Sequence, residues 1–342
     1  MKQGYREIRH GGKVVLNFIR NYTSLRRLRY LAGGGKKQSG KIIAVSLLEH
    51  LGDIVACEPI TRFLRRENPD ASIIWLVKKE YRELIDSNPF IDKTVVVHCL
   101  TERMMLWESG VFDHVIDLHF PDRYCSLCRR PLKKPKGASD VNLTNYFHFG
   151  SLLSSMAQGV GLPLLDDQPV VHIPESAVRK VDSLPLPKEF VVINCTSNAP
   201  EKGWPSDKWV RLLAEMKEAF GLSVFEVGTK TFLDGSLALS QSLCGKLSIL
   251  ESAEVIRRAN LFIGIDSGPA HLANAAGVYG VILMGSYLGF DKYNPFSGAY
   301  RSGQNAEIIY ESGSVADISV DRVFQSIVRV SERMMTGTSH AV

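Results

Sequence analysis

Several absences narrow what this 342-residue chain can be. No Asp-x-Asp triplet occurs, so the sequence lacks the carboxylate pair that clamps a divalent ion onto a diphosphate. No apolar stretch approaches the roughly 20 residues needed to span a bilayer. A secretory core is missing as well, because Lys13, Arg20 and Arg26 interrupt every apolar run near the start. Cysteine is sparse: residues 57, 99, 125, 128, 195 and 244 are scattered, several in strand-like or helix-like apolar contexts. That distribution excludes a disulfide-framed scaffold and implies reduced thiols in a cytoplasmic protein. Acid is nearly absent from positions 1–40, which hold ten Lys or Arg against Glu7 alone.

The remaining composition is that of a globular enzyme or binding protein, 45% hydrophobic and 23% charged with a net charge of +5. The length exceeds one ordinary core, so two domains are expected. In the basic leader, Val14, Val15, Phe18, Ile19, Tyr22, Leu25, Leu28 and Leu31 recur at roughly helical spacing. Two readings stand: a helix lying on an anionic membrane surface, or a solvated leader. Nucleic acid is not expected as a partner, since no aromatic platform accompanies the charge.

After Gly33-Gly34-Gly35 the chain alternates strands and helices. Strands are expected at 41–47, 72–77, 94–97 and 113–118, with helices at 54–66 and 80–87. A polar basic stretch (121–142) and a helix at 143–160 follow. The Pro-rich run from Pro163 to Pro187 includes a short strand at 170–173. Alternation then restarts with strands at 190–195, 223–227, 261–265 and 280–283, and helices at 207–220, 252–259, 271–276 and 321–335. The expected organisation is an extension (1–40), a first α/β domain (41–165), a linker (166–187), a second α/β domain (188–320) and a terminal helix and tail (321–342). The fold class is α/β, two Rossmann-like domains with parallel sheets facing a central cleft, where ligands meet strand C-terminal ends.

Three segments carry chemistry. In Leu261–Gly277 (LFIGIDSGPAHLANAAG) a buried strand runs through Asp266-Ser267-Gly268-Pro269 into a small-residue helix with proline in its first turn. Such a helix start offers unpaired N–H groups to an anion. In Asn194–Pro205 (NCTSNAPEKGWP), Thr196 and Ser197 place hydroxyls at a strand mouth and Lys202 follows, a set suited to diphosphate oxygens or simply to a solvated loop. In Leu51-Gly52-Asp53, the aspartate is either a helix N-cap or a base that removes a proton from an acceptor hydroxyl.

These segments together resemble glycosyltransferase family 9, the lipopolysaccharide heptosyltransferase type, through Leu51-Gly52-Asp53, Lys202-Gly203-Trp204-Pro205 and Asp266-Ser267-Gly268-x-x-His271-x-Ala273-x-Ala275. The resemblance covers roughly residues 41–335 and implies a GT-B architecture in which the N-terminal domain (41–165) binds the acceptor and the C-terminal domain (188–320) the nucleotide sugar. It makes Asp53 the catalytic base. It gives the donor diphosphate to Lys202, Ser267 and Gly268, beside the hydroxyls of Thr196 and Ser197. Asp266 then sits near the donor sugar, Glu226 holds the nucleoside, and His271 either touches the donor or packs its helix. The chain departs from the family in reading Asn194-Cys195-Thr196-Ser197 where a His-Pro-Gly-Thr-like run is usual, and in its N-terminal extension.

The Cys125-x-x-Cys128 pair, with His119 and His148, forms only half of a zinc set, and no metal or other cofactor is expected. The surrounding loop is basic: Arg123, Arg129, Arg130 and Lys133 either grip an anionic acceptor or form a solvated face. The favoured reading is an inverting, metal-independent glycosyltransferase. It moves a heptose-like sugar from an ADP-heptose-like donor to a hydroxyl of a glycolipid or lipopolysaccharide-type acceptor, in the cytoplasm or peripherally on the inner membrane. The alternatives are a GT-B nucleotide-sugar epimerase or hydrolase, and a non-catalytic sugar-nucleotide-binding protein.

Overall fold

The structure is a computed structural model describing residues 2–32, 40–121, 124–126, 128–131, 139–233 and 241–335. It divides into two compact units, 1–167 and 168–342.

Unit 1 begins with α1 (Lys2–Ala32). It continues through β1 (Ile42–Ser46), α2 (Leu51–Ala56), α3 (Glu58–Glu67), β2 (Ser72–Val77), α4 (Arg82–Asp86), β3 (Lys93–Val96), α5 (Leu100–Glu108) and β4 (His114–Asp117). A two-stranded antiparallel hairpin, β5 (Tyr124–Cys125) with β6 (Arg130–Pro131), precedes α6 (Leu152–Gly159). The main sheet is parallel in the order β3-β2-β1-β4. Its strands are short apolar runs such as Ile42–Ser46, buried at every position, as expected for a sheet covered on both faces. The chain builds outward from β1 to β3 and then crosses to place β4 on the other side of β1. That reversal, between β1 and β4, is where open α/β sheets bind ligands.

Unit 2 runs through α7 (Glu175–Asp182), β7 (Phe190–Asn194), α8 (Ser206–Phe220), β8 (Ser223–Glu226), β9 (Gln241–Ser242), α9 (Ile249–Arg258) and β10 (Leu261–Ile265). It closes with α10 (Gly268–Ala275), β11 (Gly280–Met284), α11 (Gly298–Ser302), β12 (Ala306–Tyr310) and α12 (Val320–Met335). Its six strands are parallel in the order β12-β11-β10-β7-β8-β9. The order reverses between β7 and β10, giving this sheet its own switch point. One face packs Trp204, Trp209, Leu212 and Met216 against β7, β10 and β11, with Val323, Ile327 and Val330 of α12 closing the layer.

Several expectations need correction. The helix foreseen at 54–66 is two helices, since Pro59 lacks the N–H that an unbroken helix requires and α3 starts afresh at Glu58. The helix foreseen at 143–160 shrinks to a 3₁₀ turn (Tyr146–Phe149) and α6, divided at Gly150 with φ 109°. The strand foreseen at 170–173 is absent. Pro169 and Pro174 bracket it, and the Val171 N–H donates to Ala275 O at 3.4 Å without a strand ladder forming. The elements α5, α7, β9, α11 and β12 were not foreseen.

The basic leader forms α1 and joins the core of unit 1. Val14 and Leu25 are fully buried, and Phe18, Tyr22 and Leu28 pack beside them against Ile42, Leu76, Val95 and Leu106. The buried Glu102 carboxylate accepts from Asn17 and Asn21 of α1 at 2.5 and 3.1 Å and from the His98 N–H at 2.8 Å. Those bonds offset the cost of burying a carboxylate. Arg29 pairs with Asp113 at 2.5 Å. Most of the apolar stripe therefore faces protein. A narrower exposed face remains, with Val15, Leu16, Ile19 and Tyr30 beside Arg26 and Arg27. Among the described residues no helix is long and apolar enough to cross a membrane.

Candidate active site

In unit 2 the residues singled out by sequence lie on the loops that leave β7, β8 and β10, and Ser267 bridges the switch point. Its Oγ donates to Asn194 Oδ1 at 2.7 Å, while Asn194 Nδ2 donates to Val227 O at 2.9 Å. Asn194 thus ties the ends of β7, β8 and β10 into one platform. Gly228, at φ 148°, is needed beside it, because a Cβ there would stand 3.3 Å from Asn194 Nδ2.

Above this platform sits an ion pair. Lys202 Nζ, in the turn after Pro200, donates to Asp266 Oδ2 at 2.5 Å, and Tyr293 Oη donates to the same oxygen at 2.7 Å. The ammonium also lies 3.7 Å from the ring centroid of Tyr287 and 5.7 Å from that of Tyr293, within cation–π range. Burial pushes the Asp266 carboxyl up, but Lys202, His271 and the hydrogen bonds from Lys202 and Tyr293 outweigh it and hold its pKa below the usual value. Neither tyrosine was singled out from the sequence. The signal was available, since both lie in the loop (285–297) that follows β11, a third strand beside the switch point.

The α10 helix starts here. Ser267 occupies its N-cap with extended backbone and gives its hydroxyl to Asn194 rather than to the helix; Gly268 and Pro269 form the first turn. This helix start directs its partial positive charge at the position where an anion would meet Lys202. Thr196 is half-buried on the same loop as Lys202. Ser197 stands apart from the expected group, because its hydroxyl closes a local turn, donating to Ala199 O at 2.8 Å and accepting from the Ala199 N–H at 3.1 Å.

Glu226 ends β8 and is buried. Its Oε1 accepts from the Phe232 N–H at 2.9 Å, whereas its Oε2 has no hydrogen-bond partner among the described residues. Burial raises its pKa, against the backbone N–H groups of Phe232 and Leu233. An unpartnered buried carboxylate oxygen is a ready acceptor for a hydroxyl of a bound molecule. His271 is buried against Phe296, ring centroids 4.7 Å apart. Burial is the main cause that lowers its pKa to about 4; Asp266 opposes and Lys202 assists.

In unit 1, Asp53 follows β1 at the other switch point. It is not the N-cap that sequence allowed: His50 takes that position, and Asp53 lies one turn in, half-buried. The loop that leads into its helix is fixed at several points. Trp75 Nε1 donates to Leu47 O at 3.1 Å, and the Lys78 N–H to Leu48 O at 3.2 Å. Lys78 also pairs with Glu49. The Leu48 N–H donates to His119 Nε2 at 3.2 Å. Behind it, His119 Nδ1 meets Asp117 Oδ1 at 2.8 Å, and Arg103 holds Asp117 Oδ2 at 2.7 Å. A buried Arg–Asp–His relay thus anchors the loop that leads into α2, the helix that carries Asp53. With both nitrogens engaged, His119 is not the metal ligand that sequence considered beside Cys125 and Cys128, and His148 is exposed in the turn at 146–149. Arg129 and Arg130 are exposed on the hairpin. Arg123 and Lys133 lie outside the described residues.

Residues 129–286 match the model of glycosyltransferase family 9 (heptosyltransferase), a span that includes the motifs at Lys202 and Asp266. The resemblance drawn from those motifs holds, and the chain is a glycosyltransferase of the GT-B α/β class. Among solved structures, the chain is similar to a family 9 glycosyltransferase from Veillonella parvula DSM 2008, with TM-score 0.65 and 19% identity over 87% of this chain and 98% of that one. It is also similar to the E. coli ADP-heptose lps heptosyltransferase II, with TM-score 0.61 and 16% identity over 86% of this chain and 99% of that one. The E. coli heptosyltransferase WaaC with ADP follows at TM-score 0.59 and 12% identity, over 84% and 99%. No curated protein sequence matches the chain.

The His271 environment sets a pH dependence. Its folded pKa, about 4, lies below the ordinary imidazole value of 6.5, so on acidification the unfolded chain takes the proton first. Stability linked to His271 is therefore complete above about pH 6.5 and is lost toward pH 4, roughly 3 kcal/mol in all. Unfolding by urea at pH 7 and pH 5 should show this loss in the wild type and a smaller one in His271→Gln. An imidazole that titrates near pH 6.5 by NMR would contradict the assignment.

Proposed function

We propose that the chain transfers a heptose-like sugar, with inversion, from an ADP-heptose-like donor to a hydroxyl of a glycolipid or lipopolysaccharide-type acceptor, without a catalytic divalent ion. The observation that carries this reading is the Lys202–Asp266 pair beside the Ser267–Gly268 helix start, at the switch point of a parallel sheet. Lys202 has three ammonium protons, and Asp266 engages one, which leaves donors for diphosphate oxygens. Glu226, with its unpartnered oxygen, is the acceptor for nucleoside hydroxyls. The E. coli neighbours support the donor class, one being named for ADP-heptose and the other holding ADP.

In the step itself, Asp53 takes the proton of the acceptor hydroxyl as its oxygen attacks the anomeric carbon. The bond from that carbon to the diphosphate oxygen breaks, and the nucleoside diphosphate leaves with the electron pair. Lys202, Thr196 and the helix start at Ser267–Gly268, through its backbone N–H groups, stabilise the charge that develops there, the task a metal ion performs where an Asp-x-Asp pair exists. Ser197 belongs to this group only if its local turn opens. Arg129 and Arg130, with Arg123 and Lys133, supply positive charge for an anionic acceptor.

The exposed face of α1 suits an anionic inner-leaflet surface, since Val15, Leu16 and Ile19 are apolar and Arg26 and Arg27 are cationic. Its buried face serves the fold. Leu16→Glu should therefore reduce co-sedimentation with anionic vesicles while urea stability stays unchanged. Leu25→Ala should cost about 2–5 kcal/mol of stability, the usual range for a truncated core leucine. Equal vesicle binding by wild type and Leu16→Glu would remove the membrane role.

Asp53→Asn should lower turnover by about 100-fold or more and leave donor affinity near normal, as expected for loss of a general base. Wild-type turnover should not respond to added Mg²⁺ or Mn²⁺. Near-normal turnover in the variant would exclude Asp53 as the base. Release of free sugar from the donor at the same rate without acceptor would favour a hydrolase instead.

A further inference from the structure

Four metal-ligating side chains from separate parts of unit 1 converge near the end of β3. His10 comes from α1, Cys99 from the N-cap of α5, Cys125 from β5, and Cys128 from the turn of the β5–β6 hairpin. Cys99 Sγ and Cys128 Sγ are 3.7 Å apart, and a ring nitrogen of His10 lies within 4.8 Å of both. Cys125 packs in the same buried cluster as Cys99. Cys99 and Cys125 are buried, and all three cysteines are free thiols.

The Cys99–Cys128 spacing fits a shared ion. Four ligands on a tetrahedral centre with metal–sulfur bonds of about 2.3 Å put the sulfurs about 3.8 Å apart. A disulfide would need about 2.05 Å. A plain thiol–thiol contact accounts for the cysteines but not for the histidine. His10 Nε2 is buried and, among the described residues, makes no hydrogen bond, a costly state for a buried polar atom unless something fills the role.

The hairpin backbone has the form that a two-cysteine knuckle requires. Cys125-x-x-Cys128 has ligand spacing, Arg129 turns the chain back with φ 52°, and its N–H donates to Cys125 O at 2.7 Å. Each strand of this hairpin is only two residues long, too short to persist on its own ladder.

We propose that His10, Cys99, Cys125 and Cys128 bind one zinc ion. Three thiolates and an imidazole select zinc over magnesium or calcium. Four protein ligands leave no open position for water or substrate, so the ion is structural. It pins α1, the β3–α5 junction and the basic hairpin to one point. Sequence reasoning paired the two hairpin cysteines with histidines close in the chain, and the ligands that complete the set are distant in it.

The test is the metal content of the full-length protein, measured by plasma mass spectrometry after dialysis against metal-free buffer. About one zinc per chain is expected in the wild type, lost in Cys128→Ser and in His10→Ala and kept in Cys57→Ser. Cobalt added to the wild-type apo-protein should give the absorption of a tetrahedral thiolate site, which holds the proposal to account even if the ligand variants fail to fold. No transition metal together with no cobalt spectrum would overturn it. So would full zinc retention in folded Cys99→Ser/Cys128→Ser, and stoichiometric iron would overturn the choice of zinc.

Discussion

The Lys202–Asp266 ion pair is the interaction on which the site in unit 2 depends. Asp266 is buried at the end of a central strand, where an unpaired carboxylate would be costly. Lys202 reaches it from the loop after β7, and Tyr293 completes the remaining demand on the same oxygen. Removing one member of such a pair leaves a buried charge and typically costs about 3–5 kcal/mol. The pair therefore fixes the loop position and presents the ammonium in one orientation, held on the face of Tyr287. A cation placed in advance needs little rearrangement when charge develops on a leaving group, which is the condition for electrostatic stabilisation to be large.

Both units use the same geometric device. Each parallel sheet reverses its building direction beside its first strand, and at each reversal the loops diverge and leave room for a ligand. In unit 2 the Ser267–Asn194 bond spans the reversal. In unit 1 it is spanned by the bond from the Leu48 N–H to His119, with Asp117 and the buried Arg103 behind. A charged buried network thus lies behind the loop that leads into the helix of Asp53.

Much of this was legible in the sequence, and for a physical reason. Strands buried on both faces read as short apolar runs, so β7, β10 and β11 were visible, and Leu261–Ile265 was placed at both ends. Asp266, Ser267, Gly268 and Lys202 sit beside those strands, where turn chemistry and spacing are local. What escaped depends on contacts distant in sequence. The tyrosines of the loop at 285–297 have no local signature that separates them from core aromatics. The face of α1 that docks on α5 has the same spacing as a membrane-facing stripe, and only the partners of Asn17, Asn21 and Leu25 tell the two apart. The convergence of His10 and Cys99 on the hairpin is invisible for the same reason.

The central claim is that unit 2 recognises a diphosphate through the Lys202–Asp266 pair and the α10 start. Calorimetric titration of ADP and of AMP into the wild-type protein, at one salt concentration, tests it directly. The second phosphate adds charge-assisted contacts worth about 1.5–3 kcal/mol. ADP should therefore bind at least about tenfold more tightly than AMP. Equal affinities, or a preference for AMP, would contradict the account.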